Sequence, residues 1–123
     1  MTNRILVVED QEDLREIARL ALEGAGYEVV EAATGPEAVA IAETERPDVV
    51  LMDIQLPVLD GYESTRRIKA LPGMASTAII AVSSFAMRGD EEKARAAGCD
   101  GYVTKPYSPK QLVELVRQFL GKP

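Results

Sequence analysis

The sequence predicts an α/β domain in which a doubly wound, five-stranded parallel sheet carries helices on both faces, a (βα)5 architecture. Short apolar runs alternate with segments of helical periodicity five times along the 123 residues, which is the pattern of a parallel sheet. Most of these runs are continuously apolar, as in strands that are buried on both faces. At this length we expect one domain, residues 1–123, with a substantial core.

The first strand is predicted at the apolar run Ile5–Val8. The helix after it begins near Asp13 and ends at the glycines Gly24 and Gly26. Its apolar residues recur at the spacing of one helical face: Leu14, Ile17, Ala18, Ala21 and Leu22.

The second strand, Tyr27–Ala33, contains Glu28 and Glu31, so we expect it at an edge of the sheet where one side is wet. Gly35-Pro36 begins a short helix, which ends at the Arg46-Pro47 boundary.

The third strand, Asp48–Asp53, is an apolar run that ends in a carboxylate. A helix from about Tyr62 to Ala70 follows it, and Pro72-Gly73 breaks that helix. The fourth strand is predicted at Ile79–Val82, just before a pair of serines.

The last third of the chain carries a helix between Arg88 and Ala97, dense in charge and alanine, and a fifth strand at Cys99–Thr104. The final helix, ended by Gly121, shows a clear apolar stripe: Leu112, Leu115, Val116 and Phe119. Because crossovers are right-handed and the chain is short, we expect the flavodoxin-like strand order 2-1-3-4-5.

Composition excludes several classes of function. The net charge of −6 argues against a nucleic-acid or anionic-membrane binder, since either needs a basic face. Histidine is absent, which removes histidine catalysis and histidine metal sites. The single cysteine permits no internal disulfide, and no segment reads as a signal peptide or approaches the roughly 20 apolar residues of a membrane span. We therefore expect a cytoplasmic protein.

Polar residues follow four of the predicted strands: Glu9 and Asp10, then Asp53, Ser83 and Lys105. Taken alone, Asp53 fits a residue that merely caps a turn. In the expected strand order, however, all five side chains converge on one edge, where open α/β sheets bind ligands. Clustered carboxylates without histidine or cysteine suit a hard ion such as Mg²⁺, and a lysine and a hydroxyl facing that ion suggest a phosphoryl group. Asp53 is then the candidate nucleophile, since an aspartate can form an acyl phosphate.

Four motifs in this order carry a specific resemblance: Val8-Glu9-Asp10, Leu51-Met52-Asp53 with Pro57 and Gly61, Ala81-Val82-Ser83-Ser84, and Tyr102-Val103-Thr104-Lys105-Pro106. The sequence resembles the CheY-like receiver domain of bacterial two-component response regulators over essentially the whole chain. Within that family, the single predicted domain and the run from Phe85 to Glu92 make it most similar to single-domain regulators of the DivK type.

The resemblance implies that Asp53 accepts a phosphoryl group from a sensor histidine kinase or a histidine phosphotransferase. It implies that Asp10, Asp53 and the backbone carbonyl of Gln55 bind Mg²⁺, with Glu9 acting through water. Ser83 and Lys105 would then bind phosphoryl oxygens, and Lys105-Pro106 would be a cis bond.

The resemblance further implies that Ser83 and Tyr102 form a switch, and that phosphorylation controls protein binding through the face made by helix 4, strand 5 and helix 5. The chain would catalyse only its own phosphorylation and dephosphorylation, the latter slowly because Phe85 and Gln55 position water poorly.

Three alternatives stay open: a module of a hybrid histidine kinase, a degenerate receiver that binds constitutively, and a phosphatase of the haloacid dehalogenase type. The last would want an aspartate where Gln55 stands.

Overall fold

Strands and helices alternate along the chain in the computed structural model, which describes residues 3–56, 58–84 and 89–120. The strands are β1 (Arg4–Val8), β2 (Glu28–Ala32), β3 (Val49–Asp53), β4 (Ala78–Ser83) and β5 (Gly101–Thr104). The helices are α1 (Glu12–Gly24), α2 (Gly35–Glu45), α3 (Gly61–Lys69), α4 (Asp90–Ala97) and α5 (Pro109–Leu120). Each predicted element is present, with ends that move by a few residues.

All strand pairs are parallel, and the strand order is β2-β1-β3-β4-β5, as predicted. The acidic strand β2 lies at an edge, which agrees with the wet side expected from Glu28 and Glu31. Because β1 and β3 are neighbours whose connections run to opposite sides, the topological switch point lies between their carboxyl ends.

The core has two apolar layers, one on each face of the sheet, because successive strand side chains point to opposite faces. Leu6, Val8, Val50 and Met52 pack on one face, with apolar residues of α2, α3 and α4. Ile5, Val7, Val49 and Leu51 pack on the other face, with residues of α1 and α5. This explains why the strand sequences are continuously apolar: alternate residues of each strand pack into one layer or the other.

Helix α3 begins one residue earlier than predicted because Asp60 caps it, its side chain accepting the backbone N–H of Glu63 at 2.9 Å. Gly61 is required at the first position. A Cβ there would lie against the Cα of Ile54 and 2.5 Å from the carbonyl oxygen of Asp53. The start of α3 is thereby packed directly on the end of β3.

The peptide bond between Lys105 and Pro106 is cis, as expected. Pro57, Phe85, Arg88 and Gly121, which carried sequence-based expectations, lie outside the described residues. Within the described ranges, none of the helices has the length and apolar character needed to cross a bilayer.

Candidate functional site

The carboxyl ends of four strands bring the predicted polar residues to one edge of the sheet. Asp53 ends β3 and Ser83 ends β4, while Glu9 and Lys105 directly follow β1 and β5. Backbone hydrogen bonds continue past the strands, since the N–H of Lys105 donates to the carbonyl of Ser83 at 2.7 Å. The strand register thus fixes where each side chain leaves the backbone.

Glu9, Asp10 and Asp53 form an acidic cluster in which one carboxylate oxygen from each residue lies within 4.8 Å of the others. Glu9 and Asp53 are 5% and 4% exposed, whereas Asp10 is open to solvent. The donor set is oxygen only and one side of the cluster is accessible, which fits a hard divalent cation that keeps some of its waters. The ligand atoms and the solvent access of the acidic cluster therefore suit Mg²⁺.

Lys105 is the cation of the site, with a side chain that is only 13% exposed. Its Nζ lies 2.6 Å from Oε1 of Glu9 and 3.4 Å from Oδ2 of Asp53. Burial alone would lower the pKa of Lys105, but the hydrogen bond that Lys105 donates to Glu9 and the charges of both acids outweigh it and raise that pKa. The lysine stays protonated and its shorter contact is with Glu9.

Burial and the neighbouring charge of Asp53 raise the pKa of Glu9 to about 7. The hydrogen bonds from Lys105 and from the backbone N–H of Gln11 act in the opposite direction without cancelling the effect. The Glu9 carboxylate is thus held in a place that disfavours its charge. A cation at the acidic cluster would relieve that cost.

Gln55 connects the loop after β3 to the loop after β4 by hydrogen bonds, beside the acidic cluster. Its backbone N–H donates to Oδ1 of Asp53 at 2.9 Å, and its side-chain Oε1 accepts the N–H of Ser84 at 3.0 Å. One oxygen of Asp53 is therefore held by the loop, while the other faces Lys105. The role of the Gln55 carbonyl as a metal ligand stays a prediction.

Ser83 and Tyr102, the expected switch pair, lie on neighbouring strands. Ser83 is fully buried, and Tyr102 is partly buried against the core layer that includes α4. A groove of about 240 Å³ runs between β5 and α5, with Tyr102, Gln111 and Leu115 among its lining residues. The tyrosine therefore connects the core to a surface groove.

Tyr107 is a site neighbour that the sequence reasoning missed. It lines a small cavity together with Glu9 and Asp53, and burial raises the pKa of its hydroxyl. On its outer side it borders an apolar depression of about 420 Å³ with Leu14 and Lys105. The sequence could have indicated this position, because Tyr107 lies only two residues after Lys105.

Arg15 was also missed. Its Nη1 donates to the backbone carbonyl of Glu9 at 2.8 Å, although it lies within α1, about one turn from the start of that helix. An arginine among the apolar and acidic residues of that stretch was the signal, but its partner depends on the tertiary fold.

Three comparisons agree on what this chain is similar to. A family model described as the response regulator receiver domain matches residues 5–117. The polar-differentiation response regulator DivK of Brucella ovis is 40% identical over 121 residues, covering 98% of each chain. Among solved structures, a CheY-like receiver domain protein of Methanospirillum hungatei JF-1 has a TM-score of 0.91 and 32% identity, covering 98% of this chain and 94% of its own.

The receiver domain of sensor histidine kinase PA1611 from Pseudomonas aeruginosa PAO1 was solved with a magnesium ion coordinated in its active-site cleft. It has a TM-score of 0.90 and 37% identity, covering 99% of this chain and all of that one. These matches span nearly the whole chain. They agree with the observed strand order and with the acidic cluster. The chain therefore belongs to the response regulator receiver domain family, the phosphoacceptor domains of two-component signalling.

Proposed function

We propose that Asp53 is the phosphoacceptor and that the chain signals by phosphorylation-dependent protein binding. One observation carries this proposal. Asp53 is a buried carboxylate at the end of the central strand, with two further carboxylates within 4.8 Å and an ammonium 3.4 Å from its Oδ2. This combination suits a group that receives a phosphoryl group and then carries more negative charge.

The chemistry is a transfer from a phosphohistidine imidazole to a carboxylate oxygen. The phosphorus–nitrogen bond breaks as a bond forms between phosphorus and an oxygen of Asp53. Mg²⁺ held by Asp10, Asp53 and the Gln55 carbonyl, with Glu9 acting through water, would neutralise phosphoryl charge.

Lys105 is near enough to exchange Glu9 for a phosphoryl oxygen, and Ser83, on the adjacent strand, would supply a hydroxyl donor.

Receiver domains interact with histidine kinases or phosphotransferases and with downstream targets. We assign the output of this chain to the face formed by α4, β5 and α5. Movement of Ser83 toward the phosphoryl group would let Tyr102 change its packing, which would shift the population between two states of that face. A cytoplasmic location suits exchange with such partners, and slow autodephosphorylation is expected from Gln55 beside the site.

Intact-mass spectrometry after incubation with acetyl phosphate and Mg²⁺ tests the acceptor. The protein should gain one phosphoryl group, about 80 Da. Asp53→Asn should abolish the adduct, and so should chelation of Mg²⁺ with EDTA. Asp13→Asn, which removes an exposed carboxylate at the start of α1, should leave the adduct intact. An unmodified wild-type protein, or an adduct that persists in Asp53→Asn, would overturn the proposal.

A further inference from the structure

Arg15 connects helix α1 to the turn that carries the acidic cluster. Resting on the proposed function, we propose that Arg15 is a positioning residue, which holds the peptide between Glu9 and Asp10 and so determines how tightly this chain binds Mg²⁺. The arginine does not touch the metal site itself.

The side chain of Arg15 is 18% exposed and spans two strands. Its Nη1 donates to the carbonyl oxygen of Glu9 at 2.8 Å, and its Nε donates to Oε1 of Glu31 on β2 at 3.2 Å. Guanidinium groups present several donors in a rigid fork, so these two contacts fix the orientation of the group as well as its position.

The held carbonyl belongs to the peptide that joins Glu9 to Asp10. Because a peptide unit is planar, holding its oxygen fixes the plane and thereby the direction in which Asp10 leaves the chain. On the other side of Glu9, its N–H donates to the carbonyl of Ala32 on β2 at 3.0 Å. Both backbone polar groups of Glu9 are thus held, one by the sheet and one by Arg15.

The other contacts of this turn do not hold the Glu9 carbonyl. Helix α1 begins at Glu12 without a side-chain cap from its N-cap residue, Gln11. The carbonyl of Gln11 accepts the backbone N–H of Arg15 at 3.0 Å, and the N–H of Gln11 donates to Oε2 of Glu9 over a long 3.3 Å. Removing Arg15 would therefore release the orientation of the Asp10 side chain, which the structure leaves open to solvent.

A positioning role and a purely electrostatic role of Arg15 predict opposite changes in Mg²⁺ affinity when the arginine is removed. Within the described ranges, the ion pair of Arg15 is with Glu31 and not with the acidic cluster. If Arg15 acted only through its positive charge, removing it would strengthen binding of a cation nearby. If it positions the peptide, removing it weakens binding, because groups that orient metal ligands typically contribute about 10- to 100-fold in affinity.

Arg19 provides the matched control. It lies one turn further along α1, carries the same charge and pairs with the other oxygen of Glu31 at 3.5 Å. Its further partners are Glu16 and Glu23, both on α1. Arg19→Met therefore removes the same charge and an ion pair with the same glutamate, but leaves the Glu9 carbonyl bonded to Arg15.

Calorimetric titration with MgCl₂ at pH 7.5 and fixed ionic strength measures the effect without requiring phosphorylation. Arg15→Met should raise the dissociation constant about tenfold. Arg19→Met should change it by less than about twofold, since distant surface charges are screened. Arg15→Lys, which keeps the charge but not the fork, should give about threefold weaker binding and serves as the milder variant if Arg15→Met fails to fold.

Phosphorylation by acetyl phosphate supplies a second measurement. In Arg15→Met the Mg²⁺ concentration for half-maximal rate should rise about tenfold, while the rate at saturating Mg²⁺ recovers to within about twofold of wild type. A general loss of structure would lower the rate at every Mg²⁺ concentration.

Two results would overturn the role of Arg15: tighter Mg²⁺ binding in Arg15→Met, or affinities for Arg15→Met and Arg19→Met that agree within twofold. If wild type binds Mg²⁺ and gains the phosphoryl adduct while these variants agree, the inference fails and the proposed function stands. If wild type does neither, both fail.

Discussion

Replacing Glu9 with glutamine removes a buried carboxyl group whose pKa the fold raises from the 4.5 of an exposed glutamate to about 7. The amide keeps an oxygen that can accept the hydrogen bond from Lys105, but it cannot ionise. We predict that this substitution removes a pH dependence of stability from the metal-free protein. Burial is the main cause, and the charge of Asp53 adds to it.

The direction follows from which state holds the proton. Between about pH 4.5 and 7, the unfolded Glu9 loses its proton while the folded one retains it, so the unfolded state is favoured as pH rises. The stability that this group contributes is fully present below pH 4.5 and is lost as pH rises through about 7. Other carboxylates with depressed pKa values would give the opposite slope.

The size of the effect follows from the two pKa values. From 4.5 to about 7, at about 1.4 kcal/mol per pKa unit, the loss amounts to about 3 kcal/mol. The side chain of Glu9 is only 7% exposed, so solvent screening reduces this figure little. It is a large fraction of the roughly 5–15 kcal/mol that stabilises a typical domain.

Urea denaturation followed by circular dichroism, in EDTA at pH values from 4.5 to 8, measures the difference between variant and wild type. The advantage of Glu9→Gln should grow by about 3 kcal/mol across this range. Glu43→Gln, at an exposed position of α2, should show no such trend. A constant difference between Glu9→Gln and wild type, or a trend of opposite sign, would refute the reasoning.

Substitutions at three further positions, with control variants, test separate contacts by urea denaturation. Lys105→Met at pH 8 should lower the free energy of unfolding by about 3 kcal/mol, because a buried carboxylate loses its ammonium partner. Gln55→Ala should lower it by about 1 kcal/mol by removing the acceptor of the Ser84 N–H, whereas Gln55→Glu keeps an acceptor and should lose less. Gly61→Ala should cost about 2 kcal/mol, since its Cβ would meet the backbone that ends β3. Gly24→Ala, with nothing within 4 Å of its Cβ, should be neutral or stabilising.

Each of these predictions has an outcome that contradicts it. Unchanged stability in Lys105→Met would show that the ion pair is neutral in its net effect. Equal stabilities for the alanine and glutamate variants of Gln55 would mean that the Ser84 hydrogen bond contributes nothing. A Gly61→Ala variant as stable as Gly24→Ala would show that the end of β3 can move without cost.

The fold could be predicted because its main determinants are local. Continuous apolar runs indicate strands buried on both faces, and the acidic strand β2 indicates an edge. The ends of elements were less accurate where a helix continues to bond the residues after it. Tyr27 and Cys99 were predicted to start strands, but their N–H groups donate to Leu22 and Ala94, near the ends of the preceding helices.

The location of the candidate site could also be predicted, since parallel strands present their carboxyl ends at one edge. The individual contacts could not. Lys105 bonds Glu9 more closely than Asp53, which depends on side-chain reach across 96 residues of sequence separation. The contact between Arg15 and the Glu9 carbonyl likewise requires the angle between α1 and the sheet, which no local pattern specifies.

Charge balance explains why phosphorylation and metal binding should depend on each other in this chain. With every group ionised, the three carboxylates and one ammonium carry a formal charge of −2, which one divalent cation would neutralise. An acyl phosphate on Asp53 would add a further negative charge and compete with Glu9 for Lys105. Mg²⁺ should therefore bind the phosphorylated chain more tightly and, by reciprocity, favour the phosphorylated state.

Because Glu9 binds a proton up to about pH 7, protons should compete with Mg²⁺ at the same cluster. The burial that raises the pKa of Glu9 makes its ionised form costly in the metal-free protein above about pH 7. A bound cation would offset this cost, so the stability of the ionised site should depend on the cation.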